Sequence, residues 1–220
     1  MSNATTISAC GAASDFEAIY RAAAQGTATP PWDDGRPNPL FLSWLDRGAR
    51  DIVRPGARIA VVGCGHGHDA RALLARGYDV TAFDVSPTAI ETSRRLHADW
   101  SEAFHTADLF ALPTRWQRRF DLVVEIYTIQ SLPPESRQQS MSAIQSLLHP
   151  HGAVFLLARA CEQPARNDEG PPWPLTLDEL RELTSASGLE ASDGIELLID
   201  DEAPSKRRMR TILRRVAGGA

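Results

Sequence analysis

Apolar positions along the chain follow two periodicities, that of a buried strand and that of an amphipathic helix. Residues 59–62 (IAVV) and 120–126 (FDLVVEI) are short, apolar and rich in β-branched side chains, as buried parallel strands require. Residues 69–76 instead repeat their apolar positions at helical spacing and end before Gly77. Strands alternating with helices predict an α/β fold built on a doubly wound, mostly parallel sheet.

The same criteria predict seven strands and six helices along the chain. The predicted strands are 59–62, 79–83, 103–107, 120–126, 153–158, 195–199 and 210–216. The predicted helices are 15–25, 40–53, 69–76, 87–98, 134–148 and 176–187. Three of the helices carry sequence caps: Ser14, Ser86 followed by Pro87, and Thr176 with Glu179 three residues later.

The N-terminal 55 residues precede the predicted sheet and have no obvious core of their own. Residues 1–13 are small and polar, and we predict a disordered tail there. Residues 14–220 are predicted to form one domain, as their length allows. Within it, residues 14–55 precede the first strand without a separate core, and we predict that they form a helical lid.

Composition and charge exclude several classes of protein. The chain has 220 residues, 43% of them hydrophobic, and a formal net charge of −5, which argues against nucleic acid as the main partner. No apolar run has membrane-spanning length and the first residues lack signal-peptide features, so a cytoplasmic location is expected. As a separate expectation, the protein is a monomer or a weak homodimer. The three cysteines provide neither a disulfide framework nor metal-ligand spacing. The basic residues 206–210 are expected in an exposed turn between the last two strands.

A glycine loop follows the first predicted strand and carries the most specific chemistry. Gly63, Gly65 and Gly67 precede the helix, and Asp84 ends the next strand about 20 residues later, where Rossmann-type units bind ribose hydroxyls. A dinucleotide site requires G-x-G-x-x-G, but the third glycine here comes one residue early and His68 occupies the expected position. No phosphate loop with G-K-[ST] follows. The pattern therefore favours S-adenosylmethionine (SAM) over NAD or a nucleoside triphosphate.

Other polar residues follow strands at the same predicted edge of the sheet. The strand, glycine loop and acid resemble class I SAM-dependent methyltransferases, and that resemblance implies that Asp108 accepts from the adenine amino group, with a turn-forming role as the alternative. It likewise implies that Glu125 lies near the methionine amine, with a structural ion pair as the alternative. Asp84 could instead cap the next helix, although Ser86 suits that role better. His66 and His68 beside Cys64 offer at most three clustered ligands, so no metal site is expected.

Four segments together resemble one family. They are Phe16-Glu17-x-x-Tyr20, Pro31-Trp32-Asp33-x-Gly35-Arg36, Gly63-Cys64-Gly65-x-Gly67-His68-Asp69 and Gly170-Pro171-Pro172-Trp173. The combination resembles the thiopurine S-methyltransferase superfamily, which includes plant thiol and halide methyltransferases and bacterial tellurite-resistance methyltransferases. Phe16 and Tyr20 stand where that superfamily has paired tryptophans.

The resemblance implies a class I SAM-dependent methyltransferase with a seven-stranded Rossmann-like sheet and S-adenosylhomocysteine as product. It implies a small-molecule acceptor, a soft nucleophile such as a thiol, halide or chalcogen oxyanion. An aromatic lid of Phe16, Tyr20, Trp32 and Trp173 is expected to exclude water. The expected cofactor-binding residues are Trp32, Gly63, Cys64, Gly65, His68, Asp84, Val85, Asp108, Leu109 and Glu125. The expected acceptor-side residues are Tyr127, Arg159 and Trp173, each of which could instead be a core aromatic or a salt-bridge partner.

Two other functions remain open from the sequence. An oxygen or nitrogen methyltransferase would need a base at the acceptor, for which Glu125 and His151 are candidates. A non-catalytic SAM-binding protein would keep the glycine loop and Asp84 but would have no acceptor cavity.

Overall fold

A seven-stranded sheet organises the part of the chain that the computed structural model describes, residues 12–166, 170–199 and 206–216. The strands are β1 (Arg58–Val62), β2 (Asp79–Asp84), β3 (Phe104–Thr106), β4 (Phe120–Ile126), β5 (Leu148–Arg159), β6 (Leu189–Ile199) and β7 (Arg207–Arg215). Their order is β3-β2-β1-β4-β5-β7-β6, and within these residues only β7 runs antiparallel to its neighbours. The predicted doubly wound, mostly parallel sheet is confirmed.

Helices cover both faces of this sheet. They are α1 (Ala12–Ala24), α2 (Pro39–Arg47), α3 (Ala49–Ile52), α4 (His68–Leu74), α5 (Pro87–Leu96), α6 (Arg137–Leu147) and α7 (Leu177–Ala186). In β1, Ile59 and Val61 join the core shared with α2 to α5, whereas Ala60 and Val62 join the core shared with α6 and α7. This arrangement explains why β1 is apolar at every position from Ile59 to Val62, because successive side chains point into opposite layers and both layers are buried apolar cores.

Two of the predicted helix starts have the expected hydrogen bonds. The Ser86 hydroxyl accepts from the Ala89 amide at 3.0 Å at the start of α5. The Thr176 hydroxyl accepts from the Glu179 amide, and the Glu179 carboxylate accepts from the Thr176 amide, which completes a capping box on α7.

Other predictions about the elements were wrong. α1 begins at Ala12, so Ser14 lies inside the helix and not at the predicted capping position. Of the tail predicted over residues 1–13, residues 1–11 lie outside the described residues, and the last two belong to α1. The helix predicted over 40–53 divides at Gly48.

The basic run 206–210 was also misplaced. Residues 207–210 are not an exposed turn but the first part of β7, which pairs with β5. Arg208 in that strand is buried. Pairing with β5, which is distant in the sequence, places these residues in a strand rather than in a turn. Their charged side chains are accommodated because they find hydrogen-bond acceptors on neighbouring elements.

The N-terminal lid (residues 14–55) is held in two ways. Phe41 and Trp44 of α2 pack on Phe155 of β5, with ring centroids 5.1 and 4.6 Å apart, so this half is part of the core. α1 contacts α5 through Glu17, whose carboxylate accepts from the hydroxyls of Ser86 and Thr88, each at 2.6 Å.

No helix among the described residues combines the length and apolar character needed to cross a membrane.

The Glu17 contact leads to a prediction about docking of the lid. Burial opposes ionisation of Glu17, but hydrogen bonds from Ser86 and Thr88 outweigh it and lower the pKa of this carboxyl. We expect Glu17→Ala to remove about 1 kcal/mol of stability, since hydrogen bonds to a partly exposed charged group contribute that much, and to speed proteolysis within α1. Denaturant unfolding and limited proteolysis measure both effects.

The matched control is Glu182→Ala, at an exposed glutamate of α7. Equal stability and equal cleavage rates in the two variants would mean that Glu17 does not hold the lid.

Candidate functional site

A cavity of about 360 Å³ opens at the carboxyl ends of the parallel strands. The strand order reverses between β1 and β4, and doubly wound sheets bind ligands at this point. The lid closes one side, and the segments after β1, β2, β3 and β4 form the remainder. Ten of the predicted site residues are in its lining: Trp32, Gly63, Cys64, Gly65, His68, Asp84, Val85, Asp108, Leu109 and Tyr127.

The glycine loop needs its glycines for conformation and for space. Gly63 and Gly65 have φ values of 58° and 52°, which favour glycine. A Cβ on Gly63 would lie 2.6 Å from the Thr128 hydroxyl oxygen, and one on Gly65 would lie 2.7 Å from the Tyr20 hydroxyl oxygen. Both positions therefore bring bare backbone to the cavity wall.

Asp84 joins this loop to the end of β2. Its two carboxylate oxygens accept one backbone amide each, from Gly65 and from Ser86, both at 2.9 Å. Burial raises the pKa of Asp84, and the hydrogen bonds from Ser86 and Gly65 oppose that shift. Each oxygen retains a second lone pair, so the carboxylate can hold the loop and still accept from ligand hydroxyls at the cavity.

The segment after β3 forms the next part of the wall. Asp108 and Leu109 both line the cavity, and the Asp108 carboxylate also accepts from the Phe110 amide at 2.9 Å. Asp108 therefore shapes its own turn, the alternative that the sequence left open, and still faces the cavity.

Three aromatic rings from the lid cover the glycine loop. Phe16 and Tyr20 meet Trp32 edge to face, with ring centroids 5.8 and 6.0 Å apart. The Trp32 indole donates to the Tyr20 hydroxyl at 2.9 Å, and Tyr20 lies 5.2 Å from the His66 ring. Burial raises the pKa of Tyr20 well above its ordinary value, so the ring stays neutral.

A carboxylate of the lid contacts both histidines of the glycine loop. One Asp33 oxygen is hydrogen-bonded to His66 Nδ1, and the other lies 3.4 Å from His68 Nε2. These contacts with His66 and His68 lower the pKa of Asp33 far below its ordinary range. Asn38 adds a second connection between the lid and the segment after the glycine loop, because its backbone amide donates to the Asp69 carboxylate at 2.7 Å.

Tyr127 borders the cavity where β4 ends. It has a φ of 63°, which is unusual for a side chain of this size. Arg208 Nε donates to the Tyr127 hydroxyl at 2.8 Å, and the guanidinium lies over the ring at 5.5 Å. Burial of the arginine and its double contact with the ring hold the tyrosine in place.

Three predicted site residues lie outside the cavity lining. Glu125 is fully buried, and one of its oxygens accepts from the amides of Thr128 and Ile129. Arg159 lies opposite Arg208 in the β5–β7 pair, and its amide donates to the Gln130 side chain.

Trp173 is the third of these residues. It is 3% exposed, and its ring packs so closely on Gly170 that a Cβ there would lie 1.9 Å from the indole. The buried Arg137 donates to its carbonyl oxygen at 2.7 Å. Trp173 is therefore a buried residue outside the cavity lining, whereas the rings of Phe16, Tyr20 and Trp32 line the cavity.

Sequence reasoning missed Arg208 and Glu17 as contributors to the site. Both act through residues far along the chain, Tyr127 and Ser86, and no local motif marks such pairs. The Ser86 cap was a partial signal, because a capping hydroxyl that accepts from an amide still has a proton to donate.

The chain is similar in sequence to known methyltransferases. The sequence profile described as thiopurine S-methyltransferase matches residues 25–211. A probable thiol methyltransferase 2 of Arabidopsis thaliana is 27% identical over 167 residues, 73% of this chain and 69% of the relative. A 2-heptyl-1-hydroxyquinolin-4(1H)-one methyltransferase of Mycobacteroides abscessus is 29% identical over 175 residues, 77% of this chain and 74% of the relative.

A solved structure has a similar fold. A Burkholderia thailandensis 1,6-didemethyltoxoflavin-N1-methyltransferase with bound S-adenosylhomocysteine superposes with a TM-score of 0.73 at 20% identity, over 98% of this chain and 92% of that one.

The burial of Glu125 predicts a pH dependence of stability. Burial raises its pKa to about 7, against an ordinary value of 4.5, and its second oxygen has no hydrogen-bond partner among the described residues. Between these values the folded state keeps a proton that the unfolded state releases, so this group destabilises the fold increasingly as pH rises. We expect Glu125→Gln to gain up to about 3 kcal/mol relative to the original protein between pH 5 and pH 8.

Urea unfolding at both pH values measures this difference. The exposed Glu182→Gln serves as the control, and its stability relative to the original protein should be the same at both pH values. A Glu125→Gln effect of the same size at pH 5 and pH 8 would contradict the assigned titration.

Proposed function

Because this chain belongs to the thiopurine S-methyltransferase family and is a SAM-dependent methyltransferase, we propose that it methylates a small, soft anion such as a thiolate. The observation that carries the proposal is the make-up of the cavity. Carboxylates and aromatic rings surround the glycine loop, whereas the described residues of the wall after β4 include no carboxylate or imidazole.

The charge of the cofactor half of the cavity suits SAM. Its described lining holds five aspartates and one arginine, Arg36, which suits a ligand with a sulfonium and an amine. We propose that Asp84 accepts from the ribose hydroxyls, that Asp108 and Leu109 contact the adenine, and that the backbone of Gly63 and Gly65 faces the methionine part.

The remaining predicted cofactor residues are arranged around this core. Cys64, His68, Val85 and Trp32 line the same cavity, so their predicted contacts with the cofactor remain part of the proposal. Glu125 lies outside the lining, and we propose that it positions the Tyr127–Ile129 turn instead. It does so through the hydrogen bonds that its oxygen accepts.

The acceptor half follows from the orientation of the cofactor. With adenosine on the β2 and β3 side, the methyl group is directed towards the end of β4. The described lining there consists of Ile126, Tyr127, Thr128, Ser131 and Leu132. None of these described side chains is a carboxylate or an imidazole, so an acceptor that is already anionic suits this wall best.

The chemistry then depends on positioning and on the exclusion of water. SAM supplies an electrophilic methyl group; the acceptor's lone pair forms the new bond while the old carbon–sulfur pair stays on sulfur. Opposite charges disappear in this step, so removing water from the acceptor favours it. Phe16, Tyr20 and Trp32 cover the site and offer their ring faces to the sulfonium. Tyr127, held by Arg208, is the proposed acceptor contact.

The relatives support this acceptor class and also one rival. Thiol and thiocyanate methyltransferases of plants are among the similar proteins. The hydroxyquinolone methyltransferase is about as similar, and ubiquinone biosynthesis O-methyltransferases are also among the similar proteins, which keeps oxygen methylation of a natural product as the second candidate. The proposed bases for that reaction are poorly placed, since Glu125 and His151 are both outside the cavity lining. A cytoplasmic location and a monomeric or weakly dimeric state remain predictions.

The role of Asp84 can be tested by binding. We expect Asp84→Asn to weaken S-adenosylhomocysteine binding ten- to hundredfold by calorimetry, because one ribose hydroxyl loses a charged acceptor. Asp79→Asn, at the exposed start of the same strand, should bind like the original protein. An analogue without the ribose hydroxyls separates direct contact from loop support: the original protein should discriminate against it and the variant should not. Unchanged affinity in Asp84→Asn would remove this residue from the site.

The acceptor class can be tested by turnover and its pH dependence. We expect methylation of thiols, aromatic thiols, thiocyanate or iodide in a panel that also contains selenium and tellurium oxyanions, a phenol and an amine. Without a catalytic base, kcat/KM for a thiol should rise with pH and level off at the pKa of the thiol itself. For iodide or thiocyanate it should be nearly flat between pH 6 and 9. Turnover confined to the phenol or amine would favour the rival function.

A further inference from the structure

We propose that Asp33, His66 and His68 form a binding site for one divalent transition-metal ion of the zinc class. One carboxylate and two imidazoles converge there, with one ligand atom from each within 4.8 Å of the others. All three residues line the cavity. The site is therefore built from the lid loop on one side and the glycine loop on the other.

One spacing between ligand atoms, that from Asp33 to His68, is close to the spacing in a zinc coordination sphere. Zinc bonds of about 2.0–2.1 Å in a tetrahedron keep neighbouring ligand atoms about 3.3 Å apart. His68 Nε2 lies 3.4 Å from Asp33 Oδ1, and His66 Nδ1 contacts the other oxygen of the same carboxylate. Small side-chain rotations would place all three around one ion.

Burial and supporting contacts also favour metal binding. The side chains of His66, Asp33 and His68 are only 13%, 14% and 21% exposed, so water competes weakly. The Gly35 amide donates to Asp33 Oδ1 at 2.9 Å and orients the carboxylate. The His97 ring bonds to the carbonyl oxygen of His66 at 3.0 Å, which holds that loop residue in place. Such supporting contacts are a regular part of metal sites.

The donor set indicates the kind of ion and the kind of site. Two imidazole nitrogens and one carboxylate oxygen suit zinc and its neighbours in the first transition row rather than magnesium or calcium. Three protein ligands leave at least one position for an exchangeable ligand, as in sites that bind a substrate or water. That position faces the cavity.

The sequence could not reveal this set. Among neighbours of His66 and His68, it offered Cys64 as the third ligand, but the Cys64 sulfur donates to the Gly65 carbonyl oxygen and burial raises the pKa of its thiol. Asp33, which lies 33 residues before His66, takes that place only when the lid folds over the glycine loop.

Metal binding and cofactor binding should be coupled. The ion would bridge the lid to the loop that encloses SAM, so each ligand favours the same closed arrangement. Affinities in such a pair change by the same factor in both directions. S-adenosylhomocysteine should therefore tighten metal binding.

The experiment uses the full chain, freed of metal by a chelator and titrated with Zn²⁺ by calorimetry and with Co²⁺ by visible absorption. We expect one equivalent of Zn²⁺ and a visible Co²⁺ band typical of four or five ligands. Asp33→Asn and His68→Ala should each weaken binding at least tenfold. Adding S-adenosylhomocysteine should strengthen it severalfold. Melting curves establish that each variant is folded, and the readout is independent of any acceptor.

The matched control is the double variant His149→Ala/His151→Ala. These two histidines have the same spacing as His66 and His68 and rings 5.8 Å apart, but lie outside the cavity; binding should be unchanged. Absence of stoichiometric Zn²⁺ binding, or binding that survives Asp33→Asn and His68→Ala, would overturn the proposal. Weaker S-adenosylhomocysteine binding by Asp33→Asn without any metal binding would identify the three residues as a hydrogen-bonded clasp only.

Discussion

The buried carboxylate of Asp84 is the constraint on which the rest of the site depends. It accepts the amides of Gly65 and Ser86, and so it fixes the loop after β1 and the loop after β2 in one arrangement. Ser86 connects these loops to two further elements, because its hydroxyl caps α5 and donates to Glu17 of the lid. A charge that is costly to bury therefore organises three segments, and its carboxylate still lines the cavity.

The lid depends on carboxylates in the same way. Glu17 accepts from Ser86 and Thr88, Asp33 contacts His66 and His68, and Asp69 accepts from the Asn38 amide. Each contact joins the lid to a segment beside the glycine loop. The negative charges surround the cofactor half of the cavity, whereas the lining residues that the structure describes after β4 carry none. This asymmetry matches a cationic methyl donor on one side and an anion on the other.

Much of this arrangement could be predicted from the sequence, and the exceptions share one cause. The strand–loop–helix–strand unit of residues 59–84 was found nearly to its ends, because periodicity and glycine spacing are local signals. Trp173 and Glu125 were placed at the site from their motifs alone, but packing on Gly170 and bonding to the 128–129 amides turn them away from the cavity lining. The burial of Arg208 was missed, because its partner Tyr127 is 81 residues away.

The sequence by itself determined the fold class and the methyl donor, and it placed three of the four expected aromatic rings, Phe16, Tyr20 and Trp32, in the cavity lining. Those features follow from local spacing: apolar runs, glycines before a helix, an acid at the end of a strand and a short aromatic motif. Only the tertiary structure decided which side chains meet across the sheet and the lid. Asp33 with the two histidines, Arg208 with Tyr127 and Glu17 with Ser86 are pairs whose energy depends on distance in space, and that distance exists only after the layers have packed.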